Sequence, residues 1–283
     1  MADSMRRAFI CGHPVAHSRS PLIHGYWLRD YGIEGTYERM DISSQEFPRF
    51  LNAMGENGFV GGNITIPHKE MAYAMIGHGD EASELIGAVN TVWLEDGVLR
   101  ATNTDWSGFS ADLDARAPRW RSGRLAVVLG AGGAARGIVY ALSQRGYDEI
   151  RIVNRTFARA RELADRFGGR VSAHEWGRMV ELVADADIVV NTTALGMAGK
   201  GDGSPESFDL SSAKAGMIAV DIVYIPLLTP FLKAASERGL EPVDGLGMLL
   251  HQAVPGFERW FGRRPDVTDE LRQHIIADME AAI

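Results

Sequence analysis

The sequence predicts an α/β protein of two domains, the second built on a doubly wound parallel sheet. Its 283 residues exceed the roughly 100–200 residues of a typical single domain. Predicted strands and helices alternate along most of the chain, which favours parallel strands joined by helical crossovers. A glycine-rich turn at 130–137 follows a continuous apolar run, as after the first strand of such a sheet. With 46% hydrophobic and 23% charged residues, the composition is that of an ordinary globular protein.

The first part of the chain alternates short strands with short helices. Ser20 is expected to cap the first helix, with Pro21 at its first position. Glu95-Asp96-Gly97 predicts a tight turn between two strands. The predicted strands are 6–12, 35–41, 59–66, 88–94 and 98–104, and the predicted helices are 20–31, 45–56, 68–76, 80–86 and 106–116.

The second part begins after a predicted loop at 117–123, which is rich in Arg, Pro and Gly. The run Leu125 to Leu129 is apolar throughout, which is typical of a strand buried on both faces. Further strands are predicted at 149–153, 170–173, 187–192, 217–223 and 241–244, with helices at 134–145, 156–167 and 229–238. Two helices, 246–262 and 268–282, end the chain, and Pro255 is expected to kink the first.

The charge distribution argues against a nucleic-acid or membrane-surface binder, because a net charge of −8 and a pI near 5.5 give no basic face. Residues 100–170 nevertheless hold thirteen arginines and no lysine against seven acids. These arginines are either solvated helix faces or the surface that meets an anion. The chain has only four lysines: Lys69, Lys200, Lys214 and Lys233.

The single cysteine, Cys11, excludes an intrachain disulfide and a Cys-rich zinc site. No apolar run approaches the ~18 residues that span a bilayer. Arg6-Arg7 precedes an apolar stretch too short for an export signal, so a cytoplasmic protein is expected.

The glycine turn predicts a dinucleotide-binding site of the Rossmann type. Gly130, Gly132 and Ala135 fit the pattern G-x-G-x-x-G/A, in which the glycines allow a tight turn and close approach to a pyrophosphate. The phosphates would meet free N–H groups at the start of the following helix. The next strand ends in Asn154-Arg155-Thr156 without an acid, and Arg159 follows one turn later. Two guanidiniums there favour a 2′-phosphate, and hence NADP over NAD, although both could simply be exposed residues of a helix start.

A second set of polar motifs precedes the glycine turn. Ser18 and Ser20 lie at a strand-to-helix junction whose hydroxyl and N–H donors suit a carboxylate. Asn63 and Thr65 are predicted on one face of a strand, and Lys69 enters the next helix. Polar residues recur at 88–91 and 102–105, so the set as a whole would suit a polyhydroxylated acid.

No metal site is predicted. His13 and His17 flank Pro14 outside any helix, so their spacing does not make a zinc pair. The histidines His24, His78, His174 and His274 are interpreted as surface or core residues. A carbonyl would then be polarised by a protein acid, for which Lys69 with Asp105 is the available pair, because lysine can exchange its proton and arginine cannot.

Taken together, these motifs resemble the shikimate dehydrogenase family, which also includes quinate dehydrogenases. The resemblance runs nearly end to end, in order. It is carried by HSRSP (17–21), NITIPHK (63–69), GAVNT (87–91), NTD (103–105), GAGGAARG (130–137), NRT (154–156), DIVY (221–224) and GLGMLLHQA (245–253).

The resemblance implies an NADP-dependent enzyme that reduces 3-dehydroshikimate to shikimate in aromatic amino-acid biosynthesis. It implies a substrate-binding and catalytic domain at 1–106, an NADP-binding Rossmann-like domain at 107–245, and terminal helices at 246–283 that pack back on the substrate domain. A monomer or homodimer is expected.

Roles for individual residues follow from the same resemblance. Lys69 would be the general acid/base and Asp105 its catalytic partner. The substrate would be bound by Ser18, Ser20, Thr65, Asn90, Asp105, Tyr224 and Gln252. The cofactor would be bound by Gly130, Ala131, Gly132, Gly133, Ala134, Ala135, Asn154, Arg155, Thr156, Arg159 and Gly245.

Alternatives stay open at this point. Quinate and aminoshikimate dehydrogenases share much the same motifs, and the arginine pair favours the NADP-dependent biosynthetic enzyme. A methylenetetrahydrofolate dehydrogenase would also use a lysine, but it would leave HSRSP without a purpose. A non-catalytic NADP-binding Rossmann protein is the remaining alternative, because a fold alone does not establish catalysis.

Overall fold

The computed structural model describes residues 5–77, 79–197 and 208–281, so His78 and Lys200 lie outside the described residues. The chain divides into two compact units. The first comprises Met1–Thr104 and Leu250–Ile283, and the second is Asp105–Leu249. The boundaries expected from the sequence, 106/107 and 245/246, differ from these by two and four residues.

The first unit is built on a mixed five-stranded sheet. Its strands are β1 (Arg6–Gly12), β2 (Gly35–Asp41), β3 (Phe59–Ile64), β4 (Thr91–Glu95) and β5 (Val98–Thr102), in the order β2-β1-β3-β4-β5. β1 pairs in parallel with β2 and β3, whereas β4 is antiparallel to both its neighbours. β3 ends two residues earlier than predicted, ahead of Pro67, which has no N–H to extend a ladder. The carboxyl ends of β1 and β3 therefore lie side by side.

Four short helices cover this sheet: α1 (Ser20–Asp30), α2 (Phe47–Asn52), α3 (Lys69–Ile76) and α4 (Glu81–Ile86). α2 is half the length predicted for it. Beneath it, Phe9 packs edge to face on Phe50 and Phe59, with ring centroids 5.0 and 5.1 Å away. Such pairs add to the stabilisation from burial alone.

The second unit confirms the doubly wound parallel sheet. Its strands are β6 (Leu125–Leu129), β7 (Glu149–Asn154), β8 (Val171–Glu175), β9 (Ile188–Asn191), β10 (Ile218–Asp221) and β11 (Glu241–Val243), in the order β11-β10-β9-β6-β7-β8. All five pairings are parallel. The order reverses between β6 and β9, and at such a switch point ligands bind beyond the carboxyl ends of the strands.

Helix α5 (Asp105–Arg116) precedes β6, and between the strands of the sheet lie α6 (Gly133–Arg145), α7 (Phe157–Phe167), α8 (Met179–Val183) and α9 (Pro230–Glu237). The predicted loop at 117–123 is a single 3₁₀ turn, Pro118–Ser122. The loop prediction was wrong there because Trp120 is buried and its indole N–H donates to Asp114 Oδ1 (2.8 Å), which orders the segment.

The terminal helices α10 (Leu246–Phe261) and α11 (Asp269–Ala281) pack on the first unit, as expected. Trp260 donates from Nε1 to the Val92 carbonyl (2.9 Å). Trp27 donates to the carbonyl of Asp266 (3.0 Å), which precedes α11. Pro255 lies inside α10. None of the helices among the described residues is both long and apolar enough to cross a membrane.

Candidate active site

The serine pair follows β1, where the chain enters α1. Ser20 is buried and Ser18 is half-buried. The prediction that Ser20 caps α1 was wrong, because Ser20 is itself the first residue of the helix and Arg19 is the N-cap. Ser18 Oγ instead accepts from the backbone N–H of Ser20 (3.3 Å). Arg39 on β2 donates to the Ser18 carbonyl (2.8 Å) and fixes the loop.

The carboxyl end of β3 carries the next predicted residues. Asn63, the residue before Ile64 at the end of β3, is buried, and its Oδ1 accepts from the Tyr37 hydroxyl (2.6 Å). Thr65 lies just beyond the strand rather than within it, half-buried. Lys69 is the first residue of α3 and is also half-buried. The motif therefore places the Thr65 hydroxyl and the Lys69 ammonium just beyond the carboxyl end of β3.

Asn90 and Gln252 meet although 162 residues separate them. Asn90 Oδ1 accepts from the backbone N–H of Thr104 (2.7 Å), so its Nδ2 is directed to Gln252 Oε1 (3.3 Å). The Thr104 hydroxyl donates to the Gln252 carbonyl (2.8 Å), which ties α10 to this corner. Both amides are nearly buried. Asn63 Nδ2 also donates to the Asn90 carbonyl (3.1 Å), so the polar residues of the first unit share one network.

The glycine turn of the second unit has the geometry expected for a pyrophosphate site. Gly130 has φ +107°, a left-handed conformation that strains other residues. Gly132 is the N-cap of α6, and a Cβ placed on Gly132 or Gly133 would meet no atom within 4 Å. Ala135 is fully buried and lets α6 lie close to the sheet. Open space above the free N–H groups of a 13-residue helix fits a dinucleotide phosphate.

The carboxyl end of β7 presents the arginine pair. Asn154 Nδ2 donates to the Thr156 carbonyl (2.9 Å), which shapes the turn into α7. Arg155, Thr156 and Arg159 are all exposed. Within the ranges the structure describes, neither guanidinium has a carboxylate partner. Both arginines are therefore available to an anionic ligand, and the residues present fit NADP.

Three further predicted residues belong to the second unit. Asp105 begins α5 and is half-buried, as is Tyr224, which follows β10. Gly245 is buried just beyond β11, where a Cβ would press on the carbonyl oxygens of Asp221 and Ile222. Since these residues lie in the unit that holds the glycine turn, the predicted substrate-binding residues are divided between the two units.

A buried carboxylate at the end of β10 was not identified as a site residue from the sequence. Asp221 accepts from Asn191 Nδ2 (3.1 Å), the Val223 N–H (3.0 Å) and the Thr229 hydroxyl (2.6 Å). These bonds connect Asp221 to Val223 and Thr229, and so fix the ends of the segment that includes Tyr224. Burial outweighs these bonds and raises the pKa of Asp221 to about 6. The sequence feature that could have identified Asp221 is an acidic residue at the carboxyl end of an apolar strand.

No group of three or more His, Cys, Asp or Glu side chains suited to a metal ion occurs among the residues that the structure describes. The fold and the glycine turn define the class of the protein. It is a two-unit α/β protein with a Rossmann-like dinucleotide-binding unit.

Comparison with known proteins identifies the family. The chain matches the family descriptions "Shikimate dehydrogenase substrate binding domain" at 10–92, "Shikimate / quinate 5-dehydrogenase" at 116–223 and "Shikimate 5′-dehydrogenase C-terminal domain" at 245–274. It is 58% identical over 279 residues to a shikimate dehydrogenase (NADP(+)) of Mesorhizobium japonicum, covering 99% of both chains. The chain belongs to the shikimate dehydrogenase family.

Solved structures agree with this assignment. Shikimate 5-dehydrogenase of Thermus thermophilus, in complex with NADP(H) and shikimate, is 36% identical with a TM-score of 0.82, covering 99% of this chain and 100% of that one. Quinate dehydrogenase of Corynebacterium glutamicum, in complex with NAD, is 31% identical with a TM-score of 0.88, covering 96% of this chain and 99% of that one.

Proposed function

We propose that the protein catalyses the reversible, NADP-dependent reduction of 3-dehydroshikimate to shikimate in aromatic amino-acid biosynthesis. The observation that carries this proposal is the 58% identity, over 99% of both chains, with a relative named for that activity. The exposed arginines after β7 and the absence of an acid at that position support NADP as the cofactor.

In this proposal the first unit binds the substrate. Ser18 and Ser20 hold its carboxylate, since the loop before α1 offers hydroxyl and N–H donors. Thr65, Asn90 and Gln252 bind its ring hydroxyls. The fixed orientation of the Asn90 amide supports this role, because one edge is engaged by Thr104 and the other is directed to Gln252. Asp105 and Tyr224 are the other residues proposed to bind the substrate.

The second unit holds the cofactor. The turn from Gly130 to Ala135 would bind the pyrophosphate, and Gly245 would contact the nicotinamide. Asn154, Arg155, Thr156 and Arg159 bind the adenosine phosphate. When bound, NADP supplies or accepts the hydride.

Lys69 transfers the proton in the proposed reaction. In the reducing direction the ketone oxygen gains negative charge, and the Lys69 ammonium donates a proton to it as that charge forms. In the oxidising direction the neutral amine accepts the hydroxyl proton. Asp105 orients the ammonium or the hydroxyl. Acid/base help of this kind is worth about 10²–10⁴-fold in rate.

Quinate dehydrogenase activity is a second candidate function, because the TM-score of the quinate dehydrogenase structure, 0.88, lies between the 0.82 and 0.89 of two shikimate dehydrogenase structures. Quinate differs from shikimate at the ring, and the polar residues above suit either acid. Cytoplasmic location and a monomeric or dimeric state stay predictions.

The test is cofactor reduction by the purified protein with shikimate or quinate, each with NADP⁺ and NAD⁺. Fast turnover confined to shikimate with NADP⁺ is the expected result. Turnover chiefly with quinate or with NAD⁺ would reassign the substrate or the cofactor. No turnover in any combination would contradict the proposal and favour an aminoshikimate substrate or a non-catalytic role.

A further inference from the structure

The aromatic side chain of Trp176 lies beside Arg155. None of the motifs that resemble the shikimate dehydrogenase family includes Trp176. β7 and β8 run in parallel, and their register pairs Asn154 with Glu175. Arg155 and Trp176 are the residues that follow these two strands. The guanidinium carbon of Arg155 lies 5.8 Å from the centroid of the Trp176 ring, within reach of a cation–π contact.

The two partners differ in how firmly they are held. Trp176 is half-buried, packs against the core beneath β6 and β9, and has its ring 6.3 Å from that of Phe208. Arg155 is exposed and, in the described part of the chain, has no carboxylate partner. The indole is therefore the fixed surface, and it limits the conformations of a long side chain that would otherwise sample many rotamers.

The geometry also leaves the arginine able to bind. A guanidinium that lies beside an indole and has no carboxylate partner keeps its N–H groups for a phosphate, to which it can donate two parallel hydrogen bonds. An arginine held in this way loses less rotamer freedom when the ligand arrives. This gain in affinity is expected only for a ligand that carries a phosphate at this position.

We infer that Trp176 is a positioning residue that holds Arg155 for the 2′-phosphate, and so contributes to the preference for NADP over NAD. This inference rests on the proposed use of NADP. It assigns no contact between Trp176 and the reacting atoms.

The test compares two variants. Trp176→Leu keeps a large apolar side chain but removes the aromatic ring, whereas Trp176→Phe keeps an aromatic ring. Calorimetric Kd for NADP⁺ is measured on each purified protein, together with KM for NAD⁺ and for shikimate. We expect Trp176→Leu to weaken NADP⁺ binding about two- to five-fold, as an exposed cation–π contact allows. NAD⁺ and shikimate should be unaffected, and Trp176→Phe should retain most of the wild-type affinity.

Arg155→Ala provides the reference. A charge-assisted contact predicts about 10- to 150-fold weaker NADP⁺ binding for that variant, and adding Trp176→Leu to it should cause no further loss. Equal weakening of NADP⁺ and NAD⁺ by Trp176→Leu would overturn the inference, as would unchanged NADP⁺ affinity while Arg155→Ala loses it. An Arg155→Ala protein with wild-type NADP⁺ affinity would overturn the underlying cofactor assignment as well.

Discussion

Replacing Asp221 by Asn is expected to make the protein relatively more stable as the pH rises. The carboxylate is fully buried and accepts three hydrogen bonds, the shortest from the Thr229 hydroxyl (2.6 Å). Asn has the same shape and keeps one acceptor oxygen for the Val223 N–H. The substitution therefore removes the charge while it preserves most of the local geometry.

The magnitude follows from the pKa of Asp221, which burial raises from 3.8 to about 6. Two pKa units correspond to about 3 kcal/mol of preference for the protonated form in the folded state. Because the folded pKa lies above the unfolded one, this stabilisation is complete below about pH 4 and is lost as the pH rises through about 6. The asparagine of the Asp221→Asn variant does not titrate, so the advantage of the variant over the wild type grows by about 3 kcal/mol across that window.

Urea unfolding of both proteins at pH 4, 5, 6 and 7, at one ionic strength, measures this difference. His24 also titrates, since its burial lowers its pKa to about 3 and removes stability as the pH falls. That contribution is common to both proteins and cancels in the difference. A difference in unfolding free energy that stays constant from pH 4 to 7 would refute the reasoning.

Three further substitutions probe the glycines and the polar network. Gly132→Ala should change the unfolding free energy by less than about 0.5 kcal/mol yet raise KM for NADP⁺, because its Cβ enters open space at the phosphate site; an unchanged KM would contradict this. Gly61→Ala, whose Cβ would meet both the Trp260 indole and the Val92 carbonyl oxygen, should lose about 1–3 kcal/mol in urea unfolding, and wild-type stability would contradict this. Asn63→Ala removes one acceptor of the Tyr37 hydroxyl and a donor to the Asn90 carbonyl, so it should cost about 1–3 kcal/mol and raise KM for shikimate; an unchanged KM would exclude its support of the substrate-binding amides.

The sequence predicts the second unit well because its signals are local. An apolar strand, a glycine turn and a helix lie within 21 residues, from Leu125 to Arg145, and they place the carboxyl end of β6 without reference to the rest of the chain. Right-handed crossovers between parallel strands are a general property of the polypeptide backbone. The parallel arrangement can therefore be predicted without reference to particular side chains.

The parts that sequence reasoning missed depend on distant packing. The contact between Asn90 and Gln252 joins residues 162 apart, and no spacing rule predicts it. The order of 117–123 depends on burial of Trp120. In the sequence, Asp221 is the first residue of the motif DIVY (221–224), but the motif does not show what the carboxylate contacts. Its role in closing the Tyr224 segment depends on hydrogen-bond donors that other elements supply.

The most direct test of the central claim is kcat of Lys69→Ala with saturating shikimate and NADP⁺. If Lys69 is the acid/base, kcat should fall about 10²–10⁴-fold with KM little changed. Lys69→Arg should not restore the rate, because arginine does not exchange its proton at working pH. A Lys69→Ala enzyme with wild-type kcat would contradict the account.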